Sequence, residues 1–373
     1  MRDNLEYLEK LPQKTVVIGL SGGVDSSVAA LLLQEQGYQV IGVFLKLYSE
    51  TKNSVTGECS YLEDLKMAKK VALQLDIPLH VLDFEKEYTK LVLQPMFEAY
   101  RKGLTPNPDL ICNKVMKFPL LIRAAKQFKA DSIATGHYAR VRKGKKGIEL
   151  LMGKDRTKDQ SYFLAELSEN DLKRVLFPLG DFTKKQVREI ARKRGLPNWN
   201  KHGTVGICFV GQQNMQDLLR EKIKIRKGEV FDTTGKRIGF HEGVAYYTIG
   251  QKAGDHIGID VQKPQGLEQK RLYVAEKDLG KNSIVVAEEG DALLKKRELN
   301  LKKFHWIGSA EKLPLRLKVC IRHLGELHSG ILGKNKGKYF FEFSKPVGAV
   351  AAGQIAVLYQ GERVVGCGEI RLK

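Results

Sequence analysis

The chain has 373 residues, 42% hydrophobic and 28% charged, the balance of a soluble globular protein too long for one ordinary core. Lys and Arg number 63 against 43 Asp and Glu, a formal net charge of +20 that favours a polyanionic partner such as RNA, although a generally basic proteome would give the same surplus. No apolar run reaches transmembrane length, and the start MRDNLEYLEKLPQK lacks the basic-then-apolar order of a signal peptide, so a cytoplasmic protein with no membrane partner is expected.

The first half alternates strand and helix patterns. KTVVIGL is a β-branched run, SGGVDSSVAALLLQEQG carries apolar residues at helical spacing and closes at Gly37, and YQVIGVFLKL reads as a second buried strand. YLEDLKMAKKVALQLDI follows as an amphipathic helix, PLHVLDF as a strand, a helix ending near Phe128, and ADSIATG as a further strand. This alternation predicts an α/β domain with a parallel sheet, helices on both faces and ligands at the carboxyl ends of the strands.

From about Gly228 the pattern becomes β-rich. GEVFDTTGKRIG reads as a hairpin around a TTG turn, with GVAYYTIGQ, RLYVAEKD and NSIVVAEE as further short β pieces. PLRLKVCIRH, YFFEFSKPV and GQIAVLYQGERVVGCGEIR predict a small C-terminal β-barrel. The expected domains are 1–212, 213–286 and 287–373.

The string VVIGLSGGVDSS lies between the first strand and helix. Without bulky side chains at Ser21, Gly22 and Gly23, backbone N–H groups can turn towards an anion, and the following helix adds its positive end. Asp25, Ser26 and Ser27 place a carboxylate and two hydroxyls in the first turn; the hydroxyls can donate to phosphate, and Asp25 can hold the loop or a magnesium ion. The string is not a Walker A motif, since no lysine follows the glycines. A glycine-bearing helix cap would use the same residue types. The whole of SGGVDSS resembles the SGGxDS loop of the PP-loop ATP pyrophosphatases, which have an adenine nucleotide hydrolase-like fold and cleave ATP between the α and β phosphates. The resemblance implies that Gly19, Leu20, Ser21, Gly22, Gly23, Val24, Asp25 and Ser26 cradle the pyrophosphate. It also implies that Gly136 of ATGHY lies beside the adenosine and Leu45 near the adenine.

Five cysteines, Cys59, Cys112, Cys208, Cys320 and Cys367, show no CxxC spacing, which argues against paired-cysteine zinc or iron–sulfur sites. Solitary cysteines are usually inert core residues, and Cys59, Cys320 and Cys367 read so. Cys112 lies in TPNPDLICN, a loop stiffened by two prolines, and Cys208 in HGTVGICFVGQQ, where Gly203, Gly206 and Gly211 permit movement. One fixed and one movable thiol would suit a sulfur transfer, and Lys114, Lys117, Lys201 and His202 could favour thiolate, although two buried core cysteines would fit these residues as well.

SGGVDSS, TPNPDLICNKVMKF, ATGHY, KDQSYFL and GICF occur in this order, and together they resemble the tRNA-specific 2-thiouridylases along most of the chain. The resemblance implies ATP- and Mg2+-dependent adenylation of the wobble-uridine C2 oxygen in tRNA. A persulfide on Cys208, loaded by a sulfur-donor protein, would then replace that oxygen with sulfur. Cys112 would release the sulfur or close a disulfide with Cys208, with Asp109 as general acid/base. Asn107, Pro108 and Asp109 would meet the flipped-out uridine. Lys158, Asp159 and Gln160 correspond to the family's tRNA-contacting KDQ, and Arg322 and His323 to its Arg–aromatic pair. Two departures stand out: a histidine in that pair, and HGTVGICF where the family usually has DSTGICF, so that Val205 replaces a common threonine. LLKKRELNLKK, residues 293–303, reads as a solvated face that could also grip phosphates. Two other readings compete with this one: another PP-loop adenylating ligase acting on RNA or a small molecule, and a non-catalytic RNA-binding protein. Against them stand the GICF cysteine, the lack of a glutaminase-like segment and the intact glycine loop.

Overall fold

The computed structural model describes residues 14–49, 60–145, 147–201, 215–224, 226–261 and 271–372. The chain divides into two compact units, Met1–Tyr88 with Asn113–Ser161 and Leu167–Val205, and Thr89–Cys112 with Tyr162–Glu166 and Gly206–Lys373.

In the first unit, the strands β1 (Thr15–Gly19), β2 (Gln39–Lys46), β3 (Leu79–Asp83), β4 (Ser132–Ala134) and, beyond an antiparallel hairpin β5 (Ala139–Gly144)/β6 (Gly147–Met152), β7 (Val175–Leu176) have been built from short β-branched runs. Five of them form a parallel sheet in the order β3-β2-β1-β4-β7, with Val16 opposite Val40 and Ser132. The central strand is dry: Val16, Val17 and Ile18 have no exposed surface. Because strand side chains alternate, Val16 and Ile18 enter a cluster with Val28 and Ala29 of helix α1 (Val24–Glu35), Ala68 and Val71 of α2 (Ser60–Gln74), and Val187 of helix Lys184–Lys193. The helix Phe118–Gln127 also packs on β1, its Leu121 closing on Gly19. Burial on this scale, at roughly 25 cal/mol per Å2 of apolar surface, makes the sheet a rigid base for the loops at its carboxyl edge.

The second unit carries an antiparallel hairpin, β8 (Gly228–Phe231) and β9 (Arg237–His241), whose turn is held by Asp232 Oδ1 accepting from Thr234 N at 2.9 Å and Lys236 N at 3.0 Å. β10 (Ile259–Val261), β11 (Leu272–Asp278) and β12 (Ser283–Glu288) complete a five-stranded sheet among the described residues, in the order β10-β9-β8-β12-β11. The expected strand in GVAYYTIGQ is instead a short 3-10 turn, Val244–Tyr246; its apolar side chains are buried by that turn, and Tyr246 and Tyr247 give their hydroxyls to the carbonyls of Ile223 and Gly258.

The C-terminal strands β13 (Lys295–Trp306), β14 (Leu315–Cys320), β15 (His328–Asn335), β16 (Lys338–Gly348), β17 (Ile355–Gln360) and β18 (Arg363–Arg371) close into a barrel in the order β13-β16-β15-β14-β17-β18, β18 pairing back onto β13. Leu299, Val319, Leu332, Phe341, Leu358 and Ile370 fill it. The basic stretch 293–303 is largely β13: Leu299 and Leu301 point inward, while Lys295, Lys302 and Lys303 face solvent. Among the described residues no helix is long and apolar enough to cross a membrane.

Candidate active site

The glycine turn sits where β1 ends and α1 begins. Gly22 has φ +76°, and a Cβ there would lie 2.2 Å from the Asp64 carbonyl oxygen, so both backbone conformation and space demand glycine. Gly23 caps the helix without a side chain; its carbonyl accepts from Ser27 Oγ at 2.9 Å and Ser26 Oγ at 3.1 Å. Ser26 Oγ also accepts from Ser21 N at 3.2 Å, so in this state one hydroxyl shapes the turn. Ser21 is exposed and Gly23 half-buried, leaving the turn open at its outer side. Gly19 and Leu20 lead in from the sheet, Leu20 fully buried, and Leu45 lies half-buried opposite Leu82 near the end of β2.

The turn is held by residues far away in sequence. Asn198, with no exposed surface, donates from Nδ2 to Gly22 O at 3.0 Å and Ser27 Oγ at 2.9 Å, and its buried Oδ1 has no hydrogen-bond partner among the described residues. Asp25 Oδ1 accepts from Tyr138 Oη at 2.8 Å and Lys184 Nζ at 2.5 Å. Burial and the Asp25 carboxylate push the Tyr138 hydroxyl well above its ordinary value, so it stays a neutral donor. A Cβ on Gly136 would lie 2.8 Å from both Asp25 C and Ser26 N, so the strand end after β4 touches the turn through bare backbone. The neighbouring His137 shares a 2.7 Å hydrogen bond with Thr135 Oγ1 and stacks on Phe118; burial and Lys117 hold its ring well below the usual value, which makes it neutral.

The same tyrosine reaches the KDQ segment. Tyr138 N donates to Gln160 Oε1 at 3.0 Å and Gln160 N to Tyr138 O at 2.9 Å. Asp159 is turned inward: Oδ1 accepts from Gly153 N at 2.7 Å and Ser161 N at 3.2 Å, and Oδ2 from Ser161 Oγ at 2.8 Å. Burial, its largest influence, raises the carboxyl above the ordinary range. Only Lys158 of the three is exposed.

In the second unit, Cys112 is not on a loop. Pro108–Cys112 is a one-turn helix, and Asn107 caps it by accepting from Leu110 N at 3.2 Å. Proline at the first helical position loses nothing, because that N–H has no helical partner, and its fixed φ suits the turn. Cys112 is 7% exposed, Asp109 half-buried. Arg322 and His323 follow β14; the His323 ring lies 4.1 Å from the Phe163 ring, and Cys320 Sγ donates to Arg322 O at 2.8 Å. Cys320 and Cys367 are buried, as expected of core residues. Cys208, Val205, His202 and the glycines around them, and Cys59, lie outside the described residues. Lys201, expected to favour a thiolate, is paired with Asp64 at 2.5 Å. Among the described residues no group of three or more His, Cys, Asp or Glu could hold a metal ion.

Tyr138, Lys184 and Asn198 were not foreseen from sequence; only Tyr138 carried a signal, its place in the ATGHY string beside Gly136.

Family models match three consecutive segments: tRNA methyl transferase HUP domain over residues 14–212, tRNA methyl transferase PRC-barrel domain over 216–288 and aminomethyltransferase beta-barrel domain over 296–370. The tRNA-specific 2-thiouridylase MnmA 2 of Aliarcobacter butzleri (strain RM4018) is 39% identical over 362 residues, covering 96% of this chain and 98% of that protein. MnmA 1 of Geobacillus kaustophilus (strain HTA426) is 40% identical, covering 95% of each chain, and MnmA of Blochmanniella floridana 41% identical, covering 96% of each. Identity of this order across all three segments leaves one assignment: the chain belongs to the family of tRNA-specific 2-thiouridylases.

Proposed function

We propose that this protein acts in the cytoplasm, replacing the C2 oxygen of the wobble uridine of tRNA with sulfur, spending ATP and drawing the sulfur from a persulfide supplied by a donor protein. The observation that carries this reading is the near full-length kinship with 2-thiouridylases in a chain whose glycine turn is intact and braced.

The turn fits a nucleotide on its own geometry: a positive-φ glycine that no other residue could replace, N–H groups at a helix start, and the ammonium of Lys184 beside Asp25. In this reading Gly22, Gly23 and the first turn of α1 hold the leaving pyrophosphate with donors fixed before reaction, which stabilises developing charge without reorganisation. Leu45 and Gly136 would border the adenosine. Asp25 is the carboxylate that would hold a magnesium ion, which would neutralise phosphate charge.

The uridine C2 oxygen attacks the α-phosphorus, the bond to the β-phosphate oxygen breaks, and pyrophosphate departs. The terminal sulfur of a Cys208 persulfide then adds at C2, and AMP leaves with the old oxygen. Attack of the Cys112 thiolate on the Cys208 sulfur frees 2-thiouridine and leaves a Cys112–Cys208 disulfide, which a two-electron reductant restores. Asp109, three residues before Cys112, would move the proton. Asn107 and Pro108 would shape the pocket of the flipped base, and Lys158, Gln160, Arg322 and His323 would contact tRNA. Asp159 serves that surface through the fold, its side chain holding Gly153 and Ser161.

Nucleoside mass spectrometry of tRNA incubated with the protein, ATP, Mg2+ and a persulfide source tests the reading. 2-Thiouridine supports it, and unmodified uridine with intact ATP refutes it.

A further inference from the structure

The segment leading into Asp109 and Cys112 is tied down from the far end of the chain. Thr105 N donates to Ala352 O at 2.8 Å, and Gln354 Nε2 donates to Thr105 O at 3.0 Å, so the turn between β16 and β17 grips both backbone groups of one residue. Thr105 Oγ1 lies 3.1 Å from Thr248 Oγ1, and Thr105 is only 8% exposed. Contact is close throughout. A Cβ on Gly353, whose φ is +91°, would come within 2.8 Å of Leu104 Cβ and Thr105 N, and a Cβ on Gly250 within 2.3 Å of Ala349 Cβ. The gripping turn is itself fixed to the barrel's closing strand, Gly353 N donating to Ile370 O at 3.0 Å and Ile370 N to Gln354 O at 2.8 Å.

We propose that the barrel turn Ala349–Gln354 is a positioning element for Cys112, with Gln354 as its chief positioning residue. Between the grip at Thr105 and the thiol, the chain has little freedom. Pro106 and Pro108 fix their φ angles, Asn107 caps the helix, and Cys112 follows one helical turn later. A shift of the turn therefore reaches the thiol rather than dissipating in a loop. A thiolate that must meet one sulfur atom in line is sensitive to displacements of an ångström, which cost about a hundredfold in rate. The role assigned to Cys112 rests on the reaction proposed above; the grip on it does not.

Two variants disturb the grip differently: Gln354→Ala removes a donor, and Gly353→Ala drives a Cβ into Leu104 and Thr105. In both, 2-thiouridine formation should fall about tenfold or more, while tRNA-dependent pyrophosphate release stays within about twofold of wild type. Iodoacetamide labelling of Cys112, read by peptide mass, should quicken about tenfold as the thiol loosens. Labelling needs no turnover, so a wild-type protein that makes no 2-thiouridine would defeat the reaction while the labelling ratio still decides the grip. Unchanged labelling of Cys112 in both variants overturns the inference, as does pyrophosphate release that declines in step with thiolation.

Discussion

The side-chain amide of Asn198 donates to the carbonyl oxygen of Gly22 at 3.0 Å from a site with no solvent exposure. The carbonyl so held belongs to the positive-φ residue of the glycine turn, and the same amide holds Ser27. Asn198→Asp keeps the size and puts a carboxylate oxygen against a carbonyl oxygen. The variant should lose about 10- to 100-fold in kcat/KM for ATP, measured as pyrophosphate release, in line with one or two buried hydrogen bonds. A wild-type kcat/KM would reduce Asn198 to packing.

Asp159 predicts a pH dependence with a definite sign. Burial raises its folded pKa above the ordinary 3.8, so the folded state holds the proton more tightly than the unfolded chain. Its contribution to stability is present below 3.8 and is lost as pH rises through the raised folded value. Asp159→Asn retains an acceptor for Gly153 N and Ser161 N and abolishes the titration. Urea unfolding of both proteins should show the wild type losing ground to the Asn variant between acid and neutral pH; a constant difference contradicts the burial argument. Asp159→Ala, which orphans those donors, should cost about 1–3 kcal/mol.

Cys208→Ser should abolish 2-thiouridine formation and leave tRNA-dependent pyrophosphate release largely intact, because the hydroxyl cannot carry a persulfide. Thiolation at the wild-type rate would remove Cys208 from the reaction.

Affinity for tRNA should fall steeply with salt, the logarithmic slope being roughly 0.7–0.9 for each phosphate contact. Exchanging the exposed Lys158 for alanine should lower that slope by about one. A flat salt response in a chain of net charge +20 would mean that phosphate contacts do not drive binding.

The legible parts of the molecule were those whose physics is local. SGGVDSS declared its turn because glycines, a capping position and a following helix are contiguous, and the TTG hairpin declared itself through a turn residue at φ +85°, Gly235. Barrel strands alternate in and out at period two, so PLRLKVCIRH could be read as a strand, with Leu317 and Val319 buried and Arg316 and Lys318 exposed. Contacts between distant segments could not be read that way: Lys184 meets Asp25 across 159 positions and Asn198 meets Gly22 across 176, with no periodicity to announce either. TPNPD differs from its sequence pattern for another reason. Two prolines suggested a loop, yet Asn-Pro-Asp is also an N-cap followed by proline at the first helical position, and Asn107 makes that cap. GVAYY reads as strand because its aromatics have β propensity, which burial in a 3-10 turn overrides.

The proposed reaction stands on one step, transfer of AMP to the uridine oxygen, which makes that oxygen a leaving group. Transfer RNA carrying 18O at C2 of the wobble uridine, incubated with the protein, ATP, Mg2+ and a persulfide source, tests it in one mass spectrum. The heavy oxygen should appear in AMP in step with 2-thiouridine; heavy oxygen in water or in pyrophosphate would rule adenylation out.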